Sequence, residues 1–189
     1  MKRIAIFASG SGSNAENIAK YFKDSEVEIS LILSNKKDAY VLGRAKNLSI
    51  PSFVFNKSDF HESDTVVKEL QKHKIDLVVL AGFLWLIPEN LITAFPDKII
   101  NIHPALLPKY GGKGMYGMNV HHAVKDSGDN ESGITIHFVN ENYDEGTIIS
   151  QHKVAISPSD SADDIASKIH VLEYEFFPLA IQKVLEGTL

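Results

Sequence analysis

The feature that most restricts this chain is its rhythm: short continuous runs of apolar, β-branched residues alternate with amphipathic segments over the first hundred positions. A run such as Arg3–Ser9 has no polar face, so as a strand it must be covered on both sides. Strands at Glu28–Ser34, Ser52–Phe55, Asp76–Ala81 and Lys98–Ile102 follow the same logic. Helices at Asn14–Phe22, Ala39–Leu48, Asp64–His73 and Pro88–Ala94 fall between them. This order predicts an α/β fold of Rossmann-like type, an open and mostly parallel sheet with helices on both faces. The rhythm then changes. Leu107–Asn119 is Gly- and Lys-rich without period and reads as a mobile loop, followed by a helix at Val120–Lys125. Gly133–Val139 and Thr147–Ile156 read as an antiparallel hairpin. Ser161 or Asp160 can cap a last helix reaching about Leu185.

With 189 residues, a single domain is expected, its halves meeting near residue 100. The chain has no cysteine, which removes disulfides and thiolate metal sites. No histidine–carboxylate spacing suggests a metal, and no G-x-S-x-G elbow suggests a serine nucleophile. A net charge of −5 argues against a nucleic-acid surface. The apolar run after Met1-Lys2-Arg3 is too short for a signal peptide, and no stretch is long enough for a membrane helix. The expected protein is cytoplasmic, with no nucleic-acid or membrane partner, and a monomer or weak homodimer acting on small molecules.

Three segments carry chemistry. Ser9-Gly10-Ser11-Gly12-Ser13-Asn14 lies between the first strand and first helix, where glycines let the backbone approach an anion and helix amides face it. Ser11, Gly12, Ser13 and Asn14 are therefore candidate phosphate ligands; a plain Gly/Ser turn capped by Ser13 or Asn14 would look the same. Ala15 stands where a dinucleotide fingerprint has its third glycine. Asn101-Ile102-His103-Pro104 closes a buried strand and puts Asn101 and His103 on one side of it. An amide donor beside an imidazole suits a reaction that builds negative charge on a carbonyl oxygen. The third segment runs from Gly133 through His137 to Asp144-Glu145-Gly146. A carboxylate at 144 could pair with His103, raise its pKa and hold it protonated. His61, His73, His152 and His170 read as surface residues, and His121-His122 as possible neighbours of a ligand.

Together, Gly10-Ser-Gly-Ser-Asn14, Leu80-Ala-Gly-Phe83, Asn101-Ile-His-Pro-Ala-Leu-Leu-Pro-Lys109 and the Gly133–Ile149 stretch resemble the folate-dependent formyltransferase family. The resemblance covers nearly the whole chain. It implies a catalytic trio of Asn101, His103 and Asp144, and a phosphate site at Ser11–Asn14. Glu173 in the last helix would bind the same substrate. Leu84, Trp85, Leu86 and Ile87 would line a pteridine pocket, with Asn101, Asn140, Glu141 and Asp144 completing the folate site. The implied co-substrate is 10-formyltetrahydrofolate, with no metal. The length resembles the short branch of the family that formylates glycinamide ribonucleotide in purine biosynthesis, since other branches carry additional domains.

Two departures stand out. The stretch Asp59–Asp64 lacks the arginine with which many relatives contact folate, so either His61, Lys57 or Lys68 substitutes or the folate tail is held less firmly. The loop Tyr110–Val120 is longer than in bacterial relatives; Trp85, in a place often taken by arginine, is expected to pack. Other readings are transfer to a different amine, such as an amino-sugar nucleotide, and a non-catalytic nucleotide-binding module. A nicotinamide enzyme is disfavoured because Ser34-Asn35-Lys36 replaces the acidic residue that would hold the ribose.

Overall fold

Strand β1 (Lys2–Phe7) buries its last four residues completely, as a run without a polar face requires. It pairs in parallel with β2 (Val27–Ser34) on one side and β4 (Leu77–Leu80) on the other. Strand β3 (Ser52–Val54) adds to β2, also in parallel. The computed structural model describes residues 1–188, which divide into two units after Ile100. Strand β5 (Ile99–His103) crosses that division.

In the first unit the strand order is β3-β2-β1-β4. Its helices are α1 (Ser13–Tyr21), α2 (Tyr40–Asn47), α3 (Lys57–His61), α4 (Thr65–Lys72) and α5 (Glu89–Ala94). In α4, Val66, Val67 and Leu70 are buried, the i, i+3/i+4 stripe that holds a helix to a sheet. The sequence reading contained no α3. Its five residues are too few to show a period, yet it is capped at both groups. Asp59 N donates to Asn56 Oδ1 at 2.9 Å, and Asn56 N donates to Asp59 Oδ2 at 3.1 Å, a full capping box.

The second unit continues β5-β6-β7. Strands β6 (Glu131–Phe138) and β7 (Ile148–Ala155) form the expected antiparallel hairpin, with a register shift between Ile136 and His137. Helix α6 (Met118–Ser127) begins two residues before the predicted Val120. Helix α7 (Ala162–Glu186) is capped by Ser161, whose Oγ accepts from Asp164 N at 3.1 Å. The mostly parallel sheet with a C-terminal antiparallel hairpin is the fold class read from the sequence. Among the described residues, no helix is long and apolar enough to cross a membrane.

Candidate active site

In the first unit, the chain leaves β1 through Ser9, whose N donates to Gly82 O at 3.0 Å while its Oγ accepts from Leu84 N at 3.1 Å. The glycine loop and the segment holding Leu84 are thus joined. Gly12 caps α1 in the left-handed region, with φ 71°, and the Ser11 hydroxyl accepts from Ser13 N at 3.4 Å. Neither Ser13 nor Asn14 serves as the cap; Ser13 begins the helix. A glycine turn that opens onto the amides of a helix N-terminus is what an anion site needs. Arg44 stands beside this loop. Its Nε donates to the Ser11 carbonyl at 2.9 Å, and its guanidinium pairs with Glu16.

Gly12 has a second reason to be glycine. A Cβ there would lie 2.2 Å from Val41 Cγ2 and 2.9 Å from Val41 Cα. Gly12→Ala adds this overlap to a left-handed backbone, so a loss of about 2 kcal/mol is expected in urea unfolding. The Michaelis constant for a phosphorylated substrate should rise with it. An unchanged midpoint would mean that the loop can shift freely.

Trp85 is half-buried in a cluster of rings. Its centroid is 6.0 Å from Phe55, 5.8 Å from Phe60, 5.9 Å from His61 and 6.3 Å from Phe83. That is the expected packing role. His61, a possible stand-in for the missing arginine, lies against this cluster. Leu84 and Leu86 are half-buried, and Ile87 is buried.

The second unit holds Asn101, His103 and Asp144 together. Asp144 Oδ1 is 3.5 Å from both Asn101 Nδ2 and His103 Nδ1. Its other oxygen accepts from Gly112 N at 2.9 Å. His103 is buried, and its Nε2 is 2.7 Å from the Tyr110 carbonyl oxygen. A carbonyl only accepts, so Nε2 carries the hydrogen.

The loop after Pro104 therefore contributes to the cluster through backbone atoms. Tyr110 O binds His103 and Gly112 N binds Asp144. Tyr110 Oη donates to Asp129 Oδ2 at 2.8 Å, and Lys109 pairs with the same carboxylate at 3.1 Å. Backbone contacts leave no residue-type signal, which is why the sequence did not reveal them.

His137 is the side chain that sequence reasoning left without a role. It is buried at the register shift of β6, with Nε2 3.1 Å from Asn101 Nδ2 and 3.7 Å from Asp144 Oδ1. The residue skipped in the register is Ile149 on β7, so His137 keeps the alternation of β6 and shares the face of Thr135. Glu173 is buried on α7 and lies 2.8 Å from His170 Nδ1. His121 is buried on α6, and its Nδ1 has no partner. Asn140 is half-buried and Glu141 exposed, both in the loop between β6 and β7.

Burial pushes the His103 imidazole below its ordinary 6.5, against the upward pull of Asp144 and the Tyr110 carbonyl. The expected carboxylate partner is present, but it does not hold the ring protonated at rest, because desolvation outweighs it. Burial also pushes Asp144 up, but the neighbouring imidazoles and the Gly112 N–H together bring it below the usual carboxylate value. His121 is lowered by burial, against the pull of Glu173.

These shifts set a pH dependence of stability. The unfolded imidazoles of His103 and His121 take up protons near 6.5, while the folded ones resist. Stability is therefore full above that value and declines as pH falls through it. His170 acts oppositely, because the Glu173 hydrogen bond raises it. Its contribution is present below 6.5 and is lost as pH rises through the raised value. The group is half exposed, so that contribution is small. Urea unfolding at about pH 7.5 and about pH 5.5 should show the net loss on the acid side, with a shallower slope in His121→Gln. An unchanged slope in that variant would contradict the assignment.

Among the described residues, no group of three or more His, Asp or Glu side chains is arranged to hold a metal ion.

Residues 2–181 match the formyl transferase family. The chain is 40% identical over 195 residues to the phosphoribosylglycinamide formyltransferase of Haemophilus influenzae, covering 100% of this chain and 90% of that protein. It is 42% identical to the chloroplastic phosphoribosylglycinamide formyltransferase of Arabidopsis thaliana, covering 98% of this chain and 66% of that protein. The crystal structure of the phosphoribosylglycinamide formyltransferase of Streptococcus pneumoniae superimposes with a TM-score of 0.87 at 35% identity, over 98% of this chain and 99% of that one.

Proposed function

This chain belongs to the formyl transferase family, and from that premise we propose that it carries a formyl group from 10-formyltetrahydrofolate to the amine of 5'-phosphoribosylglycinamide. The products are formylglycinamide ribonucleotide and tetrahydrofolate, a step of purine biosynthesis. The observation that carries the reading is the convergence of Asn101 and His103 on one Asp144 oxygen, each at 3.5 Å.

The acceptor amine adds to the formyl carbon, and negative charge grows on the formyl oxygen. Asn101 donates an N–H to that oxygen. His103 resists charge at rest because it is buried, yet it has an acceptor at each nitrogen, Tyr110 O and Asp144. A ring placed this way most readily takes the proton that Asp144 relays from the attacking amine when an anion forms beside it, and gives it back as folate N10 leaves. It therefore favours the transition state over the ground state. Asp144 stays ionised and can receive a proton from the attacking amine, directly or through water. As the bond from carbon to folate N10 breaks, that proton passes to N10.

The amides of Ser11, Gly12, Ser13 and Asn14 bind the ribonucleotide phosphate, and Glu173 binds its ribose. Leu84 to Ile87 hold the pteridine, with Asn140 and Glu141 beside the rest of the folate. The chain acts in the cytoplasm on free small molecules, as a monomer or weak homodimer, with neither nucleic acid nor membrane as partner.

An acceptor panel tests this reading. With a 10-formylfolate donor, kcat/KM for glycinamide ribonucleotide should exceed that for its dephosphorylated riboside by at least about a hundredfold. Faster transfer to an amino-sugar nucleotide would move the assignment to another branch of the family.

A further inference from the structure

We propose that His137 is a positioning residue whose Nε2 sets which way the Asn101 amide faces, keeping one N–H available to the reacting oxygen. The proposal rests on the formyl-transfer reading and names a residue to which that reading assigns no part.

His137 Nδ1 lies 2.8 Å from the Phe138 carbonyl oxygen. That oxygen can only accept, so Nδ1 carries the hydrogen. In the neutral ring, Nε2 is then a bare acceptor, and Asn101 Nδ2, 3.1 Å away, donates to it. Both contacts agree on one tautomer, the usual way one ring nitrogen decides the state of the other.

The Asn101 amide is thereby fixed. Reversed, its carbonyl oxygen would face the Nε2 lone pair and the Asp144 carboxylate, two acceptors with no hydrogen to offer. In the observed sense, one Nδ2 hydrogen is held by His137. The second points no closer than 3.5 Å to Asp144 Oδ1, a long contact that a developing oxyanion can displace.

The backbone beneath His137 is built for this arrangement. Phe138 N donates to Thr147 O at 2.9 Å, which pins the residue whose carbonyl holds the ring. Gly146 passes directly over that carbonyl. A Cβ on it would lie 1.6 Å from Phe138 O and 3.4 Å from His137 Nδ1. The Asp144–Gly146 turn thus supplies the carboxylate and the clearance that leaves the Phe138 carbonyl free to orient His137.

The test is a double-mutant cycle with the whole chain. His137→Ala should lower kcat about ten- to a hundredfold and leave both Michaelis constants within about twofold. His137→Gln returns an acceptor and should recover most of the turnover. In an Asn101→Ala background, His137→Ala should cost nothing further. Additive losses, or wild-type turnover in His137→Ala, would overturn the proposal. An independent readout needs no activity. In a long-range 15N–1H spectrum of the wild type, His137 should be the tautomer with hydrogen on Nδ1. A hydrogen on Nε2 overturns the proposal and leaves the functional reading standing. Absence of any formyl transfer by the wild type overturns both.

Discussion

His103→Ala is expected to lower kcat about 100- to 1000-fold while leaving both Michaelis constants within about threefold. The size follows from where the ring sits. His103 ends β5 almost fully buried, between the Tyr110 carbonyl at 2.7 Å and Asp144 at 3.5 Å. Burial keeps it below its ordinary pKa in the resting protein. Its stabilising charge therefore appears mainly as the oxyanion forms, and its loss should fall on turnover more than on binding. Alanine leaves Asn101, His137 and the Gly112–Asp144 contact in place. A variant that kept its turnover would show that Asn101 alone stabilises the oxygen. One that lost binding of both substrates instead would mean the ring shapes the site without acting in the reaction.

Gly146→Ala is expected to cost about 3 kcal/mol or more and to abolish most turnover. The added Cβ would sit 1.6 Å from Phe138 O and 2.7 Å from Phe138 C. These are backbone atoms of β6, held through Phe138 N to Thr147 O, so no side chain can swing aside. Relief requires the 144–146 turn to move, which carries Asp144 away from Asn101 and His103. At a protein of this size, 3 kcal/mol corresponds to a fall of roughly 6–12 °C in Tm. Gly43→Ala is the matched control. Gly43 lies within α2 with nothing near the new methyl, and the change should be neutral or stabilising by about 0.5–1 kcal/mol. Equal effects at the two positions would contradict the packing argument.

The parallel half of the sheet was legible because its strands lack a polar face. The run from Ile4 to Ala8 and the run from Leu77 to Ala81 are each buried throughout, and nothing but a covered strand explains such short apolar runs. Helix α7 was legible from Ser161 and the apolar stripe behind it. Helix α3 was passed over although Asn56 and Asp59 stand at capping-box spacing, because five residues carry no measurable period. In the site, Asn101 and His103 were readable from two-residue spacing on a strand, and Asp144 from its place after β6. The shared Asp144 oxygen was not readable, because 41 or more residues separate the partners along the chain and only the fold joins them. His137 gave no signal because its partner Asn101 lies 36 residues away along the chain and only the fold joins them. The net direction of the His103 shift is not legible, because a charge partner such as Asp144 is visible in a sequence, whereas the depth of burial that outweighs it is not. Tyr110 and Gly112 act through a carbonyl and an amide that every residue type but proline could supply.

Transfer of a formyl group from folate to the glycinamide amine can be followed in the formyl carbon itself. With 13C-formyl-labelled 10-formyltetrahydrofolate and glycinamide ribonucleotide, the label should appear on the glycinamide nitrogen, one for each tetrahydrofolate released. Label recovered as free formate, at a rate indifferent to the ribonucleotide, would contradict it.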